Sequence, residues 1–156
     1  MFPPRKIIEA SEGWDENITV NDDGDFFCRI LLKAKEIIYC PDTKIYYRNA
    51  ENSLGKRITY EACESLLLSY ENYVKYLKAK LDWHKVRVAL ASNFSSFYSY
   101  VYPNYPDLLK KSEDNIISLG FKRFLPTGGK KFRRLTRLVG FKNAVYLRHK
   151  FSKIIE

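Results

Sequence analysis

The chain has 156 residues, 46% hydrophobic and 29% charged, a balance that fits a folded domain with its own core and excludes a disordered or collagen-like polymer. No apolar run reaches the roughly 18 residues of a membrane-spanning helix, and the start, Met1 to Arg5, lacks the basic-then-apolar order of a signal peptide. The formal charge of +9 is uneven: residues 1–57 hold 9 basic and 10 acidic side chains, residues 58–119 hold 7 and 7, and residues 120–156 hold 11 and 1.

Residues 4–12 are expected to form a short helix entered through Pro4 and stopped near Gly13. Trp14 beside Asp15 and Glu16 is read as an anchor packing an acidic loop, with a platform for a sugar face as the alternative. Asn21 to Arg29 then places Asp22, Asp23 and Asp25 before the apolar helical run Phe26, Phe27, Ile30, Leu31 and Ala34, a helix expected over 23–35. Carboxylates at a helix start lie where backbone amides are unpaired and the dipole is positive. Asp22 with Asp25 is close to a capping box, a purely structural arrangement; the other reading is an oriented carboxylate acting as a general base. Arg29 lies on a nearby face and would brace either the carboxylates or a diphosphate. The runs Ile37 to Cys40 and Lys44 to Arg48 are β-rich and separated by the turn signal Pro41-Asp42-Thr43, predicting two short strands within residues 37–48.

The motifs Gly13-Trp14-Asp15-Glu16, Asp22-Asp23-Gly24-Asp25 with Arg29, Tyr39-Cys40-Pro41 and Tyr46-Tyr47-Arg48, in that order, resemble the later part of a family 2 glycosyltransferase catalytic domain. The resemblance implies a partial GT-A fold over residues 1–57, α/β in class and turning mostly α further on, with the two strands extending a sheet built upstream. It implies that Asp23, the second acid of the pair with Asp22, deprotonates an acceptor hydroxyl. Trp14, Asp25, Arg29, Arg48, Lys56 and Arg57 are the implied substrate-binding residues, the last two on a loop that folds over the donor diphosphate or, equally, an ordinary solvated loop. A divalent cation, Mg or Mn, serves the full-length family, but the nucleotide-binding half and its metal-holding D-x-D are not among these residues. Asp23-x-Asp25 is not expected to replace it, because no buried strand precedes it and one pair supplies too few oxygens.

Beyond the loop, Tyr60, Cys63, Leu66, Leu67, Tyr70, Tyr73, Val74 and Leu77 recur at helical spacing over 58–80, and Val86, Leu90, Phe94, Phe97 and Val101 do so over 83–101, with Asp82 as the cap of the second helix. The aromatics of residues 97–106 are read as core rather than sugar stacking. Asp107 is expected to cap a helix that Gly120 ends. Cys28, Cys40 and Cys63 read as buried free thiols of a reducing compartment, and His84 and His149 are too isolated for a zinc site.

Residues 58–127 thus form a helical region, and residues 128–156 a basic amphipathic tail that Gly140 divides. A basic face opposed to a Phe/Leu face suits an anionic membrane surface. Phosphates of nucleic acid are the competing partner, ranked lower for want of a recognisable module, and a helix covering the core is the plainest reading. Two functions follow. One is a glycosyltransferase fragment, the acceptor half of an enzyme that transfers a sugar with inversion from a nucleotide-sugar donor to a saccharide or lipid-linked acceptor, for cell-surface polysaccharide synthesis at the cytoplasmic membrane face; without the nucleotide-binding half the chain alone is expected to be inactive. The other is a non-catalytic membrane-surface or partner-binding domain derived from such an enzyme.

Overall fold

A computed structural model describes residues 3–46 and 58–155. Among them are seven helices: α1 (Arg5–Ala10), α2 (Asp22–Lys33), α3 (Tyr60–Lys78), α4 (Trp83–Val101), α5 (Pro106–Ser118), α6 (Lys130–Val139) and α7 (Phe141–Ile155). No strand occurs among the described residues, so the expected α/β class, with its partial GT-A sheet, gives way to an all-helical fold. Residues 35–46 run without regular structure, turning where Thr43 N–H donates to the Cys40 carbonyl (3.3 Å). Ile37, Ile38, Tyr39, Ile45 and Tyr46 are all exposed, Tyr46 to 89%. The physical reason is the missing partner: an isolated hairpin is marginal in water, and the described residues offer no sheet for this pair to extend. Tyr47 and Arg48 of the second expected strand, and the loop with Lys56 and Arg57, lie outside the described residues.

The chain divides within α3 into two compact units, residues 1–69 and 70–156. In the first, Ile18, Phe26, Ile30, Cys63 and Leu67 are buried. The non-helical segment between α1 and α2 is pinned to α3 by one hydroxyl, Ser65 Oγ, which accepts from the amides of Thr19 (2.8 Å) and Val20 (3.0 Å). Asn21 Nδ2 adds a bond to Ser69 Oγ (2.9 Å).

The second unit is built on α4, whose Leu90, Ala91, Phe94, Phe97, Tyr98 and Val101 are buried, as the periodicity predicts. Its start is the expected one, with the Asp82 carboxylate accepting from the His84 amide (3.1 Å). α5 packs on α4 through Leu108, Leu109 and Ile116, and the buried Ser112 hydroxyl donates to the Phe94 carbonyl (2.8 Å). Asp107 sits inside the first turn of α5 rather than capping it; Tyr105 precedes the helix in the left-handed conformation and Pro106 takes the first position. Gly120, at φ +85°, ends α5 as expected, followed by a Phe121 N–H bond back to the Ile116 carbonyl (3.2 Å). The return segment is sealed by aromatic contacts: Phe124 stacks on Phe141 (4.7 Å, 8°) and meets Tyr98 edge-on (4.6 Å). Gly140, at φ +81°, divides α6 from α7, whose Phe141, Ala144 and Val145 are buried.

Candidate functional site

The first candidate is the start of α2. Three acids lie in its first turn, and the structure gives them different tasks. Asp25 is buried, its side chain 1% exposed, and its Oδ2 accepts from Arg29 Nε at 3.0 Å. Arg29 Nη1 continues to the Ser11 carbonyl, and Lys33 Nζ to that of Ala10. These contacts place two cations on the carbonyl end of α1, where the helix dipole favours positive charge. α1 and α2 are thereby fixed to one another through a chain from Asp25 to Arg29 to Ser11. Arg29 Nη2 is buried with no hydrogen-bond partner.

Asp22 and Asp23 face outward. Asp23 Oδ1 accepts from the amide of its neighbour Gly24 (2.7 Å), which orients the carboxylate. Asn21, at φ 65°, turns the chain into the helix, so Asp22 is the first helical residue and not the cap that a capping box needs. Trp14 lies flat on Phe26 (centroids 4.3 Å apart, 9°) while remaining 50% exposed. It is an anchor on one face and an open aromatic surface on the other. Just after it, Asp15 Oδ1 accepts from both the amide and the side chain of Asn17 (3.0 and 2.9 Å), ordering the acidic turn.

Trp14, Asp22, Asp23, Asp25 and Arg29 therefore gather in one unit, with Asp25 and Arg29 acting as the brace. Arg48, Lys56 and Arg57 lie outside the described residues. The arrangement does not suit the divalent cation that the resemblance implies: Asp25 is committed to Arg29, and the two outward carboxylates left supply too few oxygens. Among the described residues no group of three or more His, Cys, Asp and Glu could hold a metal. Cys28, on the same helix, is half-buried: burial pushes its thiol up to about 11, the Asp25 carboxylate adds to the rise and Arg29 opposes it. Cys63 is buried and raised for the same first reason, whereas Cys40 is exposed, against expectation, because the segment carrying it forms no strand. The pinning hydroxyls of Ser65 and Ser69 escaped the sequence reading, since nothing local marks a serine whose partners lie more than forty residues away.

The second candidate is a groove of about 900 Å³ in the second unit, between the end of α5, residues 121–126 and the α6–α7 junction. Its lining mixes apolar side chains, among them Ile117, Phe121, Leu138 and Val139, with polar and basic ones. Lys142 Nζ is paired with Glu113 (2.6 Å), while the cations Lys122, Arg123 and Arg137 are exposed. No helix among the described residues is long and apolar enough to cross a membrane. Comparison with protein-family models, with curated proteins and with solved structures returns no match.

Proposed function

We propose that the chain supplies the acceptor-side base of an inverting sugar transfer carried out peripherally at the cytoplasmic face of a membrane. In this reading Asp23 takes the proton from an acceptor hydroxyl, the oxygen forms its bond to the anomeric carbon of a nucleotide-sugar, and the nucleoside diphosphate departs from the opposite face. Trp14 offers its open ring to a sugar, and Asp22 adds negative charge beside the base. The observation that carries the reading is the division of labour among the acids: Asp25 is buried against Arg29 and holds the helix start, leaving Asp23 exposed and oriented. The order of motifs resembling family 2 glycosyltransferases supports it further, without the GT-A sheet.

The test uses the protein as its own cell makes it, offered nucleotide-sugars and a saccharide acceptor. Asp23→Asn should lower release of nucleoside diphosphate by roughly 10²–10⁴, as loss of a general base does; equal turnover overturns the assignment. The second reading, a non-catalytic membrane-surface or partner-binding domain, is favoured by the bond that ties Asp23 to its own backbone. It expects no donor turnover from either form.

A further inference from the structure

We propose that the groove of the second unit binds an anionic phospholipid at a membrane surface, its phosphate held by Lys122, Arg123 and Arg137 and its acyl region met by Ile117, Leu138 and Val139. The inference rests on the membrane-face placement above and is independent of sugar transfer.

Three observations carry it. First, apolar side chains line the groove yet stay open to solvent, Ile117 at 61% and Leu138 at 82% exposed. Leu138 stands at the end of α6 next to Arg137, so an apolar tip lies within one residue of a cation. Second, the charge around these residues is one-sided. Glu113 is the one carboxylate lining the groove and Lys142 neutralises it, which leaves the positive charge of Lys122, Arg123 and Arg137 uncompensated. Third, α6 extends that field. Lys130, Lys131, Arg133, Arg134 and Arg137 are all exposed, and none forms an ion pair with a described residue.

A ligand that complements this surface has to be anionic at one end and apolar at the other. A free phosphate would leave Ile117 and Leu138 in water, and a neutral amphiphile would leave the cations unanswered. An anionic lipid satisfies both, and a bilayer of such lipids also meets the outer cations of α6. Along the Phe/Leu face of the tail Val145 is buried in the protein, whereas Leu138 and Val139, which line the groove, remain exposed.

The full chain is sedimented with vesicles of phosphatidylcholine alone and of phosphatidylcholine with one third phosphatidylglycerol. Wild type should bind the mixed vesicles at least about tenfold more strongly, and less as salt rises. Ile117→Asp with Leu138→Asp, and separately Arg123→Glu with Arg137→Glu, should each weaken binding by about tenfold or more while circular dichroism stays unchanged. These side chains are exposed, so the fold does not depend on them. Wild type that fails to sediment removes the membrane placement and this inference together. Wild type that sediments, with both groove pairs unaffected and only Lys130→Glu with Lys131→Glu weakening it, overturns the groove alone. Preference for single-stranded RNA over the mixed vesicles at equal salt overturns it in favour of nucleic acid. No nucleotide-sugar enters the assay, so its outcome stands apart from that of the Asp23 variant.

Discussion

α2 and α6 begin in opposite ways. α2 opens with Asp22, Asp23 and Asp25 and ends on Lys33, so its charges run with the helix dipole. α6 opens with Lys130 and Lys131, has no acid in its first turn and ends near Arg137, so its N-terminal charge runs against the dipole. Lys130 and Arg134, and Arg133 and Arg137, are like charges four apart, each pair unfavourable by about 0.2–0.5 kcal/mol. One helix is stabilised by its own sequence. The other is held by its packing, with Thr136 buried and the Phe132 ring edge-on to Phe141 (6.3 Å). α6 keeps five exposed cations with no ion pair to a described residue, whereas the buried carboxylate of α2 is paired within the chain.

The comparison breaks first at the Asp25–Arg29 pair. Arg29→Met leaves a buried carboxylate with its brace removed and releases the Ser11 carbonyl, so urea unfolding should show a loss of about 3–5 kcal/mol; a loss under 1 kcal/mol would mean that α2 does not depend on this pair. Ser65→Ala strands the amides of Thr19 and Val20 and should remove about 1–3 kcal/mol, read in the same experiment. Lys131→Glu should act in the reverse direction, stabilising the isolated protein by about 0.3–1 kcal/mol by restoring dipole complementarity. Were it destabilising, the view of α6 as a helix strained by its own charge would fail. The smallest effect on the fold is expected from alkylation at pH 8, where Cys40 should react and Cys28 should not, its thiolate fraction being about a hundredfold below that of an ordinary thiol. Because the Cys28 thiol is raised from 9.0 to about 11, its contribution to stability is complete below pH 9 and is lost as pH climbs toward 11.

Where an element is specified by residues near one another, the sequence and the structure agree. α4 runs from Trp83 to Val101, as its spacing and the Asp82 cap require, and Gly120 and Gly140 end helices at positive φ. Of the aromatics of residues 97–106 read as core, Phe97 and Tyr98 are buried, Tyr102 and Tyr105 half-buried and Tyr100 exposed. The failure at residues 37–46 has the complementary cause: a strand is defined by its neighbour, and β-rich composition without a sheet leaves Ile38 and Tyr39 in water. At the candidate site the acidic turn and the proximity of Arg29 were legible because four residues make one helical turn. That Arg29 would close on Asp25 and reach back to Ser11 depends on how α1 packs, and no local pattern carries that information.

Ser95 gives the groove a property that its lining alone would not suggest. Its hydroxyl, inside α4, donates to the Ala91 carbonyl (2.7 Å) and accepts from the Leu125 amide (3.0 Å). An irregular return segment is thus hydrogen-bonded to the central helix between two residues, Phe124 and Pro126, that line the cleft, beside the contact of Phe124 with Tyr98. Two lining residues of the cleft thus take their position from a helix that does not itself line it, so a change in the register of α4 would move them.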